Sequence, residues 1–554
     1  MKQRLGDQIQ KAIETCFRTG SLDSGQLPDV HLEIPAHAEH GDFATNVAMT
    51  MAKQERKAPR KIAEALVAAL GDGEGLCSKI EIAGPGFINF YLAPGCWYGV
   101  LDQVMRQGAD YGKSDVGAGV PIQIEFVSAN PTGPLHIGHG RGAAVGDAVA
   151  SLLTAAGYDV QREYYVNDAG NQVGLLGRSI WLRLKELRGD TIDFPEDGYR
   201  GDYIKDVAAS LRDDQGYGVL DLAEDESIEV CGLYGMKVLL GMIEKDLQEF
   251  GIRFDNWYSE KSLYTRDMVN TELAKLAQKG LTFKEDGALW FRTTEYGDDK
   301  DRVLIRSDGT PTYFASDVAY HMEKFERGFK KVIDVWGADH HGYVPRMKAV
   351  LKGLGHSPED LEVLMIQMVN LLRGGEPVTM GKRSGSFVTL RDVVEEVGKD
   401  ACRFFFLMRR ADSQLDFDLA LAKEQSNDNP VYYVQYAHAR ICSINRNAAD
   451  AGLEPPVTGK VDVSKLVLDE ELDLAKQLQR YPESVVGAAQ ALEPHRIIYY
   501  LQELATQFHS YYNRQRVMTE DLETSKARLY LVNAVRTVLE NALLLLGLNA
   551  PERM

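Results

Sequence analysis

Asn130-Pro131-Thr132-Gly133-Pro134-Leu135-His136-Ile137-Gly138-His139-Gly140-Arg141-Gly142 sets two imidazoles three residues apart, where an apolar strand gives way to a helix. The preceding PIQIEFV, Pro121 to Val127, reads as a buried strand. Gly140 to Ala156 has helical spacing through Val145, Ala148, Val149, Leu152 and Leu153. The turn between them carries the histidines. At the start of a helix the unpaired backbone N–H groups and the positive end of the macrodipole favour an anion, and two imidazoles can add hydrogen bonds to phosphate oxygens. The turn therefore reads as a nucleotide-phosphate site, while helix-start histidines that only cap or pack are the plainer alternative.

The longer string EFVSANPTGPLHIGHGRG resembles the signature of class I aminoacyl-tRNA synthetases, and its details are similar to those of arginyl-tRNA synthetases. Further blocks in the same order extend the resemblance over nearly the whole chain: Tyr164 to Gln172 (YYVNDAGNQ), Thr312 to Asp317 (TYFASD), Trp336 to His341 (WGADHH), MGKRSGSFVTL, NPVYYVQYAHARI and the terminal APERM. A run of blocks in family order is far more specific than a short histidine motif.

Composition is compatible with this. A chain of 554 residues is long enough for several domains, each with its own core. No run approaches a membrane-spanning length, and the opening MKQRLGDQIQKAIETCF is an amphipathic, mixed-charge helix rather than a signal peptide, so a cytoplasmic location is expected. The cysteines at 16, 77, 96, 231, 402 and 442 are scattered without paired metal spacing, so no protein-held metal is expected. With 62 Lys+Arg against 81 Asp+Glu the chain is acidic, whereas nucleic-acid binders are usually basic. Affinity for RNA depends on the local potential where phosphates lie, so a basic track on an acidic protein still suffices.

The pattern divides the chain. Residues 1–107 alternate helix-like segments (Met49 to Leu70) with strand-like ones (Lys79 to Ile82, Phe87 to Leu92), an α+β appendage. Residues 108–119 are glycine-rich and read as a linker. The run Gly108 to Ser114 is one residue short of a phosphate-binding P-loop. Residues 120–420 alternate strand and helix, with Val160 to Val166, Lys331 to Trp336 and Glu362 to Val369 as further strands. This predicts an α/β, Rossmann-like, doubly wound parallel sheet with its crevice at the carboxyl ends of the strands. Residues 175–302 read as a largely helical insertion. Residues 421–554 read as an all-α helical bundle over Val431 to Asn447, Leu466 to Leu478, Pro494 to Asn513 and Ser525 to Leu546.

The resemblance also implies roles for individual residues. By it, His136 and His139 hold the phosphates of ATP, with Gly138 and Gly140 letting adenine and ribose lie on the backbone. Thr379 to Ser386 is similar to the family's KMSKS loop: Lys382 falls on its second lysine, Arg383 is a further cation and Met380 a nucleotide contact. The first lysine of that motif is here Thr379. The lysine that some members carry three residues before the first histidine is here Gly133. Gly337, Asp339 and His340 are expected beside the ribose or phosphates. Arginine is a flat, always-charged fork of donors and needs carboxylates. Glu125 and Asp317 fit that need, with Tyr313 beside them and Ser128, Asn130, Asp168 and Gln172 for the amino and carboxylate groups. A structural salt bridge is the plainer reading for each acid.

The C-terminal helices are expected to bind the anticodon, with Tyr432, Tyr433, Tyr436, Arg440, Tyr511, Tyr512, Arg514 and Arg516 as candidates. The N-terminal region, through Phe43, Asn46, Phe87, Asn89 and Tyr91, is expected to touch the tRNA elsewhere. The implied activity is an arginine–tRNA ligase using ATP, with Mg2+ brought by the ATP, acting as a monomer on L-arginine and its tRNA. A class I synthetase for another amino acid, and a non-catalytic tRNA-binding paralogue suggested by the missing lysines, are the alternatives.

Overall fold

The computed structural model describes residues 1–35, 37–378 and 388–554. They form two compact units. One comprises Met1–Ala109, Ile444–Arg480 and Gln507–Thr537; the other comprises Asp110–Ser443, Tyr481–Thr506 and Val538–Met554.

In the first unit, the Lys2–Thr19 helix buries Leu5, Ile9, Ala12, Ile13 and Cys16, a spacing of three and four that makes one apolar face, and Gly20 closes it in the left-handed conformation. Three antiparallel strands, β1 (Phe43–Thr45), β2 (Cys77–Ala83) and β3 (Phe87–Leu92), lie in the order β1-β3-β2. The expected single helix from Met49 to Leu70 is two, Val47–Glu55 and Pro59–Leu70. Pro59 cannot continue a helix and forces Ala58 into an extended conformation, so it begins a new one at its first turn. Helical segments from late in the chain belong to this unit: Lys476 pairs with Asp42 at 2.8 Å, Tyr530 donates to Asp102 at 2.6 Å and Tyr98 donates to the Leu466 carbonyl at 2.8 Å.

In chain order the second unit contributes β4 (Pro121–Glu125), β5 (Asp159–Val166), β6 (Asn256–Ser259) and the antiparallel meander β7 (Thr282–Glu285), β8 (Ala288–Phe291) and β9 (Arg302–Ile305). It continues with β10 (Lys331–Gly337), β11 (Leu361–Ile366) and the short strands β12 (Val369–Arg373), β13 (Glu376–Pro377) and β14 (Leu415–Asp418). The main sheet is parallel in the order β11-β10-β4-β5-β6. From β4 the chain winds outward through β5 to β6, then returns to the far side through β10 to β11. The switch point thus lies between β4 and β10, where α/β sheets open a ligand crevice. The Rossmann-like fold expected from the sequence is the fold observed.

The Ile137–Ala155 helix follows β4 and is buried on nearly every side. Its Arg141 has no exposed surface and caps three carbonyls, those of Gln367, Ser413 and Arg410, each at 2.8 Å. A buried guanidinium is tolerable because charge-assisted bonds to carbonyls replace its water.

Two segments differ from their sequence reading. Within 175–302, β6 joins the main sheet and β7 to β9 form a sheet of their own; strands of four residues carry too little alternation to be read. In the stretch read as a linker, Tyr111 is 2% exposed and stacks on Tyr481 at 6.1 Å between centroids.

Candidate active site

β4 ends at Glu125 because Val127 and Ser128 take left-handed φ values of 69° and 39°. A β-branched residue there is costly, about 1–3 kcal/mol, and such strain collects where side chains must be aimed. The twist brings the Ser128 hydroxyl back to donate to Glu125 Oε1 at 2.8 Å, while its oxygen accepts from the Tyr165 amide at 3.1 Å.

Beyond the twist, His136 is the N-cap of the Ile137–Ala155 helix. Its Nδ1 accepts from the amides of Gly138 at 3.1 Å and His139 at 3.4 Å, and Nδ1 of His139 accepts from the His136 amide at 3.3 Å. The rings stack with centroids 3.6 Å apart. Because each Nδ1 is an acceptor, each neutral ring carries its proton on Nε2 and can donate it outward. Burial lowers the pKa of His136, whose edge is still open to solvent. That of His139 is pushed down to about 3 by burial, with His136 adding to the effect. The histidines therefore both cap the helix and present two N–H donors at its positive end.

A Cβ on Gly138 would sit 3.0 Å from the His136 ring, so the glycine makes room for the cap. Gly140, expected beneath the nucleotide, is buried instead, and a Cβ there would meet Leu390 at 2.6 Å and Phe406 at 3.2 Å. Its role is close helix packing. Gly133 lies under Tyr203, whose hydroxyl would be 3.1 Å from a Cβ at that position and donates to the Thr132 carbonyl at 2.9 Å.

Met380, Lys382 and Arg383 lie outside the described residues. On either side of them the chain is fixed: the Val378 amide donates to the Leu371 carbonyl at 2.8 Å, and Thr389 forms a β-bridge with His136 while the Leu390 amide donates to the Leu135 carbonyl at 2.7 Å.

Carboxylates stand at the end of β4, just after β6 and on the helix that leads into β10. Glu125 Oε2 accepts from Lys324 Nζ at 2.7 Å, so this carboxylate is part of a salt bridge, which by itself does not decide between a structural and a binding role. Asp317, on the Tyr313–Glu326 helix, accepts from the Tyr343 hydroxyl. Burial raises its pKa, with Glu125 and Asp334 adding and Tyr343 and His321 opposing. Glu260 is 3% exposed, and its pKa is pushed up to about 7 by burial and by the charges of Asp317 and Asp168. With its amide oriented for hydrogen bonding, Asn167 donates to Glu260 Oε2 at 2.8 Å and its oxygen lies 3.1 Å from the exposed Asn130 side chain. Burial raises the pKa of the Tyr165 hydroxyl, and the charges of Glu260, Asp317 and Glu125 add to the shift.

Asp168 is held by Ser259 Oγ at 2.5 Å and the Lys261 amide at 2.8 Å. Gln172 is half-buried in the first turn of the Asn171–Arg188 helix, and Tyr313 is 59% exposed at the rim. Gly337, Asp339 and His340 are exposed at the carboxyl end of β10, with His340 Nε2 3.5 Å from Asp339. Among the described residues no group of three or more His, Cys or carboxylate side chains is arranged to hold a metal ion, and no helix is long and apolar enough to cross a membrane.

Three of the residues expected at the RNA are internal. Phe43 and Asn89 are buried in the N-terminal sheet, and Tyr511 is buried and donates to Glu471 at 3.2 Å, so they pack rather than face RNA. Asn46 is exposed at the start of the Val47–Glu55 helix and Phe87 is half-buried. On the Pro430–Asp450 helix Tyr432 stacks on Tyr436 at 5.8 Å, and the Arg440 guanidinium lies 4.5 Å over Tyr436, a half-exposed stripe at one-turn spacing. Arg514 is exposed beside Glu470 at 3.5 Å.

The sequence reading missed Glu260, Asn167, Tyr343 and Lys324. A signal existed for the last: Asp317, Tyr320, His321 and Lys324 recur at helical spacing and so share one face of the helix.

Comparisons with known proteins agree with this geometry. Residues 101–413 match the family described as tRNA synthetases class I (R), catalytic domain; residues 3–92 match the arginyl tRNA synthetase N terminal domain and 434–554 the DALR anticodon binding domain. The chain is 65% identical to an arginine–tRNA ligase of Syntrophotalea carbinolica and 59% identical to one of Geobacter sp. (strain M21), each alignment covering 100% of both chains. It shares its fold with the Thermus thermophilus arginyl-tRNA synthetase, with a TM-score of 0.76 over 100% of both chains at 24% identity. Two neutral histidines at a helix start, buried carboxylates whose charges converge on Tyr165, and these full-length similarities lead to one conclusion: the chain belongs to the arginyl-tRNA synthetases of class I.

Proposed function

We propose that this arginine–tRNA ligase receives the guanidinium of arginine on Glu125, Asp317 and Glu260, and holds ATP at the histidine turn. The carboxylate of arginine attacks the α-phosphorus in line and pyrophosphate leaves. The 2′-hydroxyl of the terminal tRNA adenosine then attacks the adenylate carbonyl, giving up its proton as the bond from the carbonyl carbon to the phosphate oxygen breaks and AMP leaves. Little covalent chemistry falls to the protein, so its work is positioning and charge stabilisation. His136 and His139 serve the phosphate oxygens, Lys382 and Arg383 the departing pyrophosphate, and Gly138, Gly337, Asp339, His340 and Met380 the nucleotide. Asn130 and Asp168 bear on the amino group, and Ser128, Gln172 and Tyr313 complete the subsite. Mg2+ enters with ATP as part of the substrate. Asn46, Phe87, Tyr436, Arg440 and Arg514 are assigned to the tRNA, with a monomer as the working unit.

The observation that carries the reading is a charge imbalance. The charges of three carboxylates bear on one hydroxyl, that of Tyr165, and among the described residues Lys324 is the one cation bonded to any of the three. A ligand with a fixed, planar positive charge and several donors answers that imbalance. The test is direct: Glu125→Gln and Asp317→Asn should each raise the KM for arginine roughly 10–150-fold, the equivalent of about 1.5–3 kcal/mol for a lost charge-assisted hydrogen bond, with the KM for ATP unchanged. Pyrophosphate exchange measured with tRNA present reads both constants. Parental arginine affinity in both variants would place the amino acid elsewhere.

The raised pKa of Glu260 gives a second expectation. Below about 7 its carboxyl is largely protonated, and above it largely ionised. A bound guanidinium favours the ionised form, so arginine should bind more tightly as pH rises through this range and should release a proton on binding near neutrality. Calorimetry in buffers of different ionisation enthalpy measures that release. Glu260→Gln should abolish it, and a variant that still releases the proton would assign it to another group.

A further inference from the structure

Three carboxylates stand in one row across the main sheet. Asp334 of β10 is the register partner of Glu125 of β4, and Glu125 is the register partner of Glu163 of β5. In-register neighbours in a parallel sheet project to the same face, so three like charges would repel at strand spacing. The Tyr313–Glu326 helix and the residue after it answer them with two cations three residues apart. Lys324 Nζ lies 2.7 Å from Glu125 Oε2 and 2.9 Å from Asp334 Oδ1, and Arg327 bonds Glu163 with two nitrogens, at 2.5 and 2.8 Å. Lys324 and Asp334 have no exposed surface.

The row also reaches the other arginine carboxylate. His321 Nε2 is 2.8 Å from Asp334 Oδ2, and His321 Nδ1 is 2.8 Å from the backbone carbonyl of Asp317. The ring thus spans the Asp334 carboxylate and the main chain of Asp317. The path from one carboxylate to the other is therefore continuous: Glu125, Lys324, Asp334, His321, then the main chain of Asp317. Glu125 is borne by a strand and Asp317 by a helix about 190 residues later in the sequence, yet a guanidinium of fixed width must meet both.

We propose that Lys324, with Asp334 and His321, is a positioning unit that sets the gap between the Glu125 and Asp317 carboxylates and thereby fixes the length of side chain the pocket accepts. This rests on the assignment of those two carboxylates to the guanidinium. A salt bridge that merely holds sheet to helix would lower stability without changing which ligand is preferred. A gauge changes the preference itself, because a displaced carboxylate costs arginine its fit and costs a longer ligand less.

The experiment compares L-arginine with L-homoarginine, which is one methylene longer, in the full-length protein with tRNA present. Pyrophosphate exchange gives KM and kcat for arginine and ATP, and inhibition of that exchange gives the affinity of homoarginine. Lys324→Met is expected to raise the arginine KM about tenfold or more, to leave the ATP KM within about twofold, and to shrink the preference for arginine over homoarginine about fivefold or more. Should Lys324→Met fail to fold, Asp334→Asn keeps size and leaves the ammonium on Glu125; it should fold, with a smaller rise in arginine KM and the same narrowing of preference. Folded variants with an unchanged preference, or with arginine and homoarginine weakened equally, would overturn the gauge and leave Lys324 a structural ion. If Glu125→Gln and Asp317→Asn also leave the arginine KM unchanged, the guanidinium assignment has failed instead.

Discussion

Lys382→Ala is expected to slow arginine activation about 10²–10³-fold while leaving arginine affinity close to that of the parent, the cost of removing one transition-state donor. The size of the effect depends on when the charge appears. Ground-state triphosphate is already neutralised in part by its magnesium, whereas negative charge on the departing pyrophosphate grows during the displacement. Lys382 lies outside the described residues and is the cation proposed to meet it; Thr389, further along the chain, forms a bridge with His136. Thr379 and Gly133 stand where the resembled pattern offers lysines, so little else shares the duty, and Tyr203 closes the space beside Gly133. Single-turnover measurement of adenylate formation, with tRNA present, isolates the step. A loss confined to KM would make the loop a binding element only, and no loss would pass the role to Arg383.

His136→Asn is expected to cost about 10²-fold or more in the same step, with folding stability changed by less than about 1 kcal/mol. Asparagine is among the strongest N-caps and can still accept the Gly138 and His139 amides, so the helix start should survive. What disappears is the Nε2–H and the ring stacked on His139. The substitution separates the two roles that the geometry gives this residue. Chemical denaturation reports the cap and rapid-quench adenylate formation reports the donor; parental activation would reduce His136 to a capping residue.

The sequence carried the parts of the fold that depend on local pattern. β4, β5 and β10 fall within two residues of their expected limits, whereas the histidine helix begins at Ile137, three residues before the expected Gly140, because His136 caps it. Short strands such as Asn256–Ser259 are invisible to such a reading because four residues cannot display a period. The expected seven-residue strand from Pro121 is cut short by backbone strain at Val127, which no propensity announces. At the site, the phosphate turn is legible because its residues are contiguous. The arginine pocket is only half legible: Glu125 and Asp317 come from the resemblance, whereas Glu260 and Lys324 join them through register and helix facing, which exist only after folding. Phe43, Asn89 and Tyr511 show the converse, since polar and aromatic residues look the same in sequence whether they face RNA or a core.

The charge imbalance around Glu260 has a bearing on how wrong amino acids are refused. A urea isostere of arginine would match its shape and most of its hydrogen bonds, yet would bring no positive charge. On binding it would strip water from carboxylates that already resist ionisation in that environment. The penalty would fall on the protein's own acids rather than on any clash with the ligand, and it would scale with how thoroughly the pocket is dried. On the proposed assignment, discrimination of this kind would act before any bond to phosphate forms and would leave little for a later hydrolytic check to correct.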